Sequence, residues 1–98
     1  MSQLLEKALA TLRLKRAEFE QQYGITLVGV VGSVARGEDT TESDVDVVYD
    51  IAGRPTLFTL SRAQFELEVL LGRDVDLVDP KAMRPYWRDF IEKDLVVA

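Results

Sequence analysis

The sequence predicts an α/β or α+β fold in which a small mixed β-sheet is packed with helices. Segments with helical spacing of apolar residues alternate with short apolar, β-branched segments, in the order α, β, β, α, β, α with an optional final β. The length is the second observation, because 98 residues can bury one core but cannot divide into two. We therefore expect residues 1–98 to form a single domain.

The first helix is predicted over Gln3–Tyr23. Ser2 is suited to cap its start, and apolar residues recur at helical spacing up to Gly24, a residue type that commonly follows the end of a helix. The next segment, Ile25–Val31, is apolar and β-branched over the length of a strand. It predicts a strand that is buried on both faces and therefore central in the sheet.

The second strand is predicted over Asp44–Asp50, where polar and apolar residues alternate. A second helix is expected over at least Arg62–Leu71, because Ser61 and the residues after it match a capping box. A start as early as Leu57 stays open, and Gly72 is the expected stop.

Three further segments complete the predicted fold. Asp74–Val78 is a short third strand that ends before a proline. The region Lys81–Lys93 mixes aromatic residues with charges in the manner of an amphipathic helix, and Leu95–Val97 could add a short fourth strand. The aromatic residues of the helix are interpreted as core or partner contacts, since no feature of the sequence supports nucleobase stacking: Tyr86, Trp87 and Phe90.

The composition excludes several kinds of chemistry. The chain has no cysteine and no histidine, which removes disulfides, thiol nucleophiles and the commonest general base and metal ligand. Any catalysis must therefore use carboxylates. Seventeen acidic residues against twelve basic ones give a net charge of −5, which opposes direct binding to nucleic acid and favours a basic partner or a cation.

No apolar stretch approaches the roughly 20 residues that a membrane span needs. The first residues lack the basic start and apolar run of a secretory signal. The expected location is the cytoplasm, without membrane attachment.

The segment after the first strand has glycines that suit a phosphate-binding loop. Gly32 and Gly37 have the spacing of a Walker A loop, but Glu38 and Asp39 stand where that loop needs a lysine and a hydroxyl. A dinucleotide-binding loop has the pattern G-x-G-x-x-G, with glycines two and three residues apart. Here Gly29, Gly32 and Gly37 are three and five residues apart. Neither of these nucleotide-binding motifs is present.

Acidic residues on two predicted strands suggest a metal site instead. Asp44 and Asp46 are two residues apart on one strand, so both side chains leave the same face with Cα atoms about 6.6 Å apart. Asp76 lies between apolar neighbours on another strand, and it reaches the same cleft if the two strands are adjacent. Asp74 and Asp79 are near enough in sequence to compete for that role.

Three carboxylates that face one point repel one another unless a cation neutralises them, and oxygen ligands suit Mg²⁺. A calcium-binding EF-hand loop is excluded, because Val48 occupies a ligand position and Tyr49 stands in place of the required glycine. Ser33 and the backbone N–H groups after Gly32 could hold a triphosphate. Arg36 could contact a phosphate or form an ion pair with one of the acidic residues at positions 38 and 39.

Together these residues resemble the signature of the DNA polymerase β-type nucleotidyltransferase superfamily, and more closely its minimal nucleotidyltransferase (MNT) proteins. The resemblance covers about residues 27–79, and it rests on three segments: Gly32–Gly37, Ser43–Asp46 and Leu71–Val78. The first acid of the Asp44-Val45-Asp46 motif follows Ser33 by eleven residues.

The resemblance implies a function and roles for the site residues. Asp44 and Asp46 would ligate Mg²⁺, Asp76 would help to bind metal and to activate the attacking hydroxyl, and the Gly32-Ser33 turn would hold the triphosphate of ATP. MNT proteins typically act as antitoxins of HEPN-type RNase toxins by transferring AMP from ATP to a tyrosine of the toxin. The alternative is an antitoxin that neutralises its toxin by stoichiometric binding alone.

Overall fold

The computed structural model describes residues 2–98, which form a mixed α/β structure with a four-stranded sheet. This class agrees with the sequence prediction. In chain order the elements are α1 (Gln3–Tyr23), β1 (Ile25–Val31), α2 (Gly32–Arg36), β2 (Val45–Ile51), α3 (Leu57–Leu71), β3 (Val75–Val78), a 3₁₀ turn (Pro80–Ala82), α4 (Pro85–Asp94) and β4 (Val96–Val97).

The strands lie in the order β3-β2-β1-β4. β1 is antiparallel to both of its neighbours, β2 and β4, whereas β2 and β3 are parallel. The parallel pair needs a crossover connection, and α3 supplies it. β1 is thus an interior strand, as its unbroken apolar sequence predicts.

The core lies where α1 and α3 pack against each other and against the sheet. Its largest fully buried side chains include Leu12, Phe19, Ile25, Leu27 and Leu67. α4 contributes no buried residue and instead contacts α2, the 3₁₀ turn and β1. The interpretation of the α4 aromatics as core residues is therefore wrong: Tyr86, Trp87 and Phe90 are 66, 58 and 52% exposed.

The bounds of α1 and β1 are those that the sequence predicts. β2 and β3 each begin one residue later than expected. α3 begins at Leu57, the earlier of the two starts considered, and the Thr56 hydroxyl accepts a hydrogen bond from the Thr59 N–H at 3.1 Å. The prediction that a capping box at Ser61 starts the helix is therefore wrong. The helix begins one turn earlier, where Leu60 packs against the core.

The C-terminal helix is shorter than predicted. The expected helix over Lys81–Lys93 is divided into the 3₁₀ turn and α4, because Pro85 disfavours helical backbone at Arg84. Both Met83 (φ −95°, ψ 154°) and Arg84 (φ −63°, ψ 149°) are extended. Pro85 itself occupies the first turn of α4, where its missing N–H removes no hydrogen bond. The predictions also missed α2, whose five residues are too few to show a helical period.

Strand β4 holds the C-terminal end of α4 against the sheet. The Ala98 N–H donates to the Val28 carbonyl at 2.9 Å, and Arg16 donates to the carbonyls of Leu27 and Ala98, each at 3.0 Å. A Cβ atom at Gly29 would lie 2.2 Å from the Val96 carbonyl oxygen. The two strands therefore pack this closely only because residue 29 has no side chain.

The helices were also compared with the requirements of a membrane span. Within residues 2–98, no helix combines the length and the apolar character that crossing a lipid bilayer requires.

We predict that Gly29→Ala displaces β4 and lowers the free energy of unfolding by about 1–3 kcal/mol, the usual cost of forcing extra volume into a packed site. Urea denaturation followed by circular dichroism measures the change. Val97→Ala is the matched control, because Val97 lies on the same strand pair with its side chain 62% exposed. Equal stability of the two variants would contradict the prediction.

Candidate active site

The end of β1 brings the glycine–serine turn against a carboxylate. Val31 is the register partner of Asp46 on β2, and Gly32 follows with a φ of +80°, which L side chains rarely adopt. A Cβ atom at Gly32 would lie 2.3 Å from Oδ2 of Asp46. Only glycine allows the backbone of the Gly32-Ser33 turn to approach the carboxylate this closely.

Two of the predicted carboxylates meet across the parallel strands. Asp46 and Asp76 are register partners on β2 and β3, so their side chains lie on the same face of the sheet. The expectation that these two strands are neighbours is thus met, and the register places Asp76 beside Asp46.

The competing acids lie elsewhere. Asp74 precedes β3, and its carbonyl accepts a hydrogen bond from the Val45 N–H at 2.9 Å. The Asp79 carboxylate accepts from the Lys81 N–H at 3.0 Å and caps the 3₁₀ turn. The strand register therefore favours Asp76 as the third acid of the site.

Asp44 stands just before β2 and is exposed. It borders a separate polar cleft of about 500 Å³ together with Ser43, Arg73 and Asp74. As the side chains are placed, no three acidic groups among residues 2–98 are gathered closely enough to hold one metal ion. The structure thus brings Asp46 and Asp76 together, whereas the exposed Asp44 side chain lines the separate polar cleft.

The electrostatics of Asp46 reflect this crowding. Burial raises the pKa of Asp46 above its ordinary value, and the negative charges of Asp76 and Asp44 raise it further. The positive charge of Arg36 offsets part of this effect. A proton or a bound cation would relieve the repulsion, and a set of carboxylate oxygens is the donor type that Mg²⁺ prefers.

Ser33 and Arg36 both belong to α2. Ser33 is half-buried in its first turn, where backbone N–H groups have no partner within the helix. Arg36 is paired with two carboxylates: Nε lies 3.1 Å from Oε2 of Glu38, and Nη1 donates to Oδ2 of Asp94. Of the two local ion pairs considered from the sequence, the one with Glu38 forms, and the link to α4 through Asp94 was not anticipated.

The sequence predictions missed a positioning residue. Nη1 of Arg73 donates to the carbonyls of Thr40 and Ser43, at 3.0 Å each, and so holds the loop that leads into Asp44. The Ser43 hydroxyl accepts a hydrogen bond from the Thr40 N–H at 2.8 Å and closes the same turn. Arg73 lies in the segment Leu71–Val78 that carries the family resemblance, which is the one signal that could have singled it out.

Comparison with known proteins shows to which protein family this chain belongs. A model of the nucleotidyltransferase domain family matches residues 12–98. The chain therefore belongs to the nucleotidyltransferase domain family, and the enzyme class predicted from the sequence is confirmed. The chain is 35% identical over 80 residues to the protein adenylyltransferase MntA of Thermococcus cleftensis, and the match covers 82% of this chain and 81% of that relative.

Other relatives agree. The chain is 34% identical over 88 residues to a candidate protein adenylyltransferase of Methanocaldococcus jannaschii, with 87% of this chain and 88% of the relative covered. A solved structure described as a candidate minimal nucleotidyltransferase superposes with a TM-score of 0.71 at 34% identity, covering 90% of this chain and 93% of that one.

A toxin–antitoxin structure solved with AMP-PNP shares the fold. It superposes with a TM-score of 0.70 at 19% identity and covers 94% of this chain and 70% of that one. At this identity the similarity shows the fold alone.

We predict that Gly32→Ala displaces the Asp46 carboxylate and abolishes nucleotidyl transfer, because the added methyl group and Oδ2 of Asp46 cannot occupy their present positions. Gly37→Ala is the matched control: Gly37 also has a positive φ, of +74°, but a Cβ atom there would meet nothing within 4 Å. Both variants carry the same kind of backbone strain, about 1–3 kcal/mol. Transfer assays that show equal activity in the two variants would disprove a specific role for the contact with Asp46.

Proposed function

We propose that this protein is a Mg²⁺-dependent protein adenylyltransferase that transfers AMP from ATP to a tyrosine hydroxyl of a partner HEPN-type RNase toxin and thereby acts as its antitoxin. The observation that carries the proposal is the Asp46–Asp76 pair lying against the Gly32-Ser33 turn. The adenylyltransferase relatives support the transferred group, and the toxin–antitoxin structure with AMP-PNP supports the kind of partner.

The triphosphate would bind at the start of α2. The Ser33 hydroxyl and the backbone N–H groups that follow Gly32 can donate hydrogen bonds to phosphate oxygens. Arg36 ends the same short helix and would exchange its ion pairs with Glu38 and Asp94 for a phosphate. Its side chain is 43% exposed, which leaves it room to move.

The carboxylates would hold the metal. Asp46 and Asp76 present oxygen atoms from the same face of the sheet, and Asp44 would join them by turning its exposed side chain. When bound, magnesium ions stabilise the attacking and leaving oxygens of such an in-line displacement. The donor set fits this metal, since all three side chains offer hard oxygen ligands.

The reaction is a displacement at the α-phosphorus of ATP. The tyrosine oxygen forms a new bond to phosphorus, and the bond from phosphorus to the oxygen that bridges to the β-phosphate breaks. Pyrophosphate leaves with the electron pair of that bond. Asp76, whose side chain is exposed, would accept the proton of the tyrosine hydroxyl.

A protein acceptor suits the shape and charge of the molecule. Asp44 and Asp76 are both exposed, so a large acceptor can approach them without an opening step. The net charge of −5 favours association with a basic surface, such as one that binds RNA. Action in the cytoplasm, as the sequence suggests, stays a prediction.

We predict that the double variant Asp44→Asn, Asp46→Asn abolishes transfer while its stability in a metal chelator is unchanged or increased. The raised pKa of Asp46 means that the folded protein binds a proton there more tightly than the unfolded chain does, so the ionised group opposes folding at neutral pH. Intact-mass analysis of the copurified toxin after incubation with ATP and Mg²⁺ measures the transfer, and urea denaturation measures the stability.

The native chain should add at least one AMP to the toxin, and the double variant should add none. Full neutralisation of the toxin by the double variant would show that stoichiometric binding is the mechanism. No added mass with the native chain, in the presence of ATP and Mg²⁺, would count against the proposed reaction itself.

We predict that Asp76→Asn reduces kcat at least about 100-fold, the scale expected when a general base is removed. Asp74→Asn is the matched control, because Asp74 is also exposed and lies two residues before Asp76, outside the strand pairing. It should retain most of the native rate in the same mass-based assay. The reverse order of the two rates would assign the role to Asp74.

A further inference from the structure

A cavity of about 220 Å³ lies between α4 and the candidate active site. It is lined by Gly32 and Asp46 of the candidate site and by Met83, Trp87 and Phe90 of the C-terminal segment, which form its aromatic wall. The cavity therefore starts at the turn that would hold the triphosphate, and it extends to the exposed aromatic face of α4. Nothing in the transfer reaction described above uses this aromatic wall.

The size and lining of the cavity favour a flat uncharged ring. Its volume is below the roughly 300–1,000 Å³ of pockets that enclose whole drug-sized ligands, so it can take only part of a nucleotide. Among its lining residues are two acids, Asp46 and Asp94, and no lysine or arginine, so away from the metal the cavity offers a phosphate no positively charged partner. Aromatic and thioether side chains, by contrast, provide good packing surfaces for a planar heterocycle.

We propose that this cavity binds the nucleobase of the donor nucleotide, with the base stacked against Trp87 and Phe90; this inference rests on the proposed function. The rings of Trp87 and Phe90 are 6.2 Å apart between centroids and tilted by 42°, and both are more than half exposed. They are not stacked on each other, and a base entering the cavity would cover apolar surface that now faces water.

Asp94 supplies a polar contact at the edge of the same cavity. Its Oδ2 accepts a hydrogen bond from Arg36, and an ionised carboxylate can accept further bonds at its other oxygen. The exocyclic amino group of adenine is a donor that suits this position. With nucleotide bound, Arg36 would leave its ion pair with Asp94 for a phosphate, and Asp94 would contact the base at the other end of the nucleotide.

The experiment compares ATP with inorganic tripolyphosphate, which carries the phosphates without a base. Trp87 is the single tryptophan of the chain, so its fluorescence reports directly on the cavity. With Mg²⁺ present, ATP should change the fluorescence in a saturable manner and tripolyphosphate should not. Calorimetry gives the affinity of each ligand.

Phe90→Ala and Trp87→Ala should each weaken ATP binding by about 5- to 150-fold, the range for loss of one base–aromatic stack, and leave tripolyphosphate binding unchanged. Trp87→Phe should restore most of the affinity. Phe65→Ala is the matched control, since Phe65 is an aromatic on α3 with 67% exposure and does not line the cavity. Because α4 contributes nothing to the core, these variants should fold, and retained tripolyphosphate binding verifies it.

Three results would overturn the inference. If ATP binds with native affinity to the Trp87 and Phe90 variants, the base lies elsewhere, and the proposed transfer reaction is unaffected. If N-acetyltyrosinamide changes the Trp87 fluorescence and ATP does not, the cavity receives the acceptor ring instead. If neither ATP nor tripolyphosphate binds the native chain, the proposed function fails together with this inference.

Discussion

The approach of Gly32 to Asp46 is the contact on which the site depends. It requires a residue without Cβ at a positive φ, placed directly after a central strand whose last residue is in register with Asp46. Core packing of α1 and α3 against the sheet holds the two strands in that register. Any slip of one residue would turn Asp46 to the opposite face, so the position of the carboxylate is set by the burial of the apolar residues around it.

The acidic residues of the site are arranged in a way that lowers the stability of the fold. Asp46 and Asp76 lie side by side on adjacent strands, and Asp44 adds a third negative charge, which raises the pKa of the partly buried Asp46. Like charges on directly opposite residues of neighbouring strands destabilise a sheet, so this arrangement does not contribute to folding. Their proximity fits the proposed function, in which a bound cation would neutralise these charges, and acids with a shifted pKa often gather at active sites.

The molecule is divided into a packed part and a loosely attached part. α1, α3 and the sheet form the core, whereas α4 has no buried residue and is held by β4, by its contacts with the 3₁₀ turn and by the ion pair from Arg36 to Asp94. A helix that the core does not need can carry exposed aromatic side chains beside the site. This separation explains why its residues look like core positions in the sequence and yet lie at the surface.

The sequence by itself determined the fold class, the bounds of α1 and β1, and the reliance on carboxylates, because these follow from local apolar periodicity and from composition. The motif that includes Asp44 and Asp46 was also readable, through its resemblance to a family. Asp76 was also favoured from the sequence as the third acid, and the tertiary structure supplied its register with Asp46. Only the tertiary structure decided that Arg36 reaches Asp94, 58 residues away, and that α4 lines a cavity beside Gly32. Strand register and helix docking depend on contacts between distant segments, for which a local pattern carries no signal.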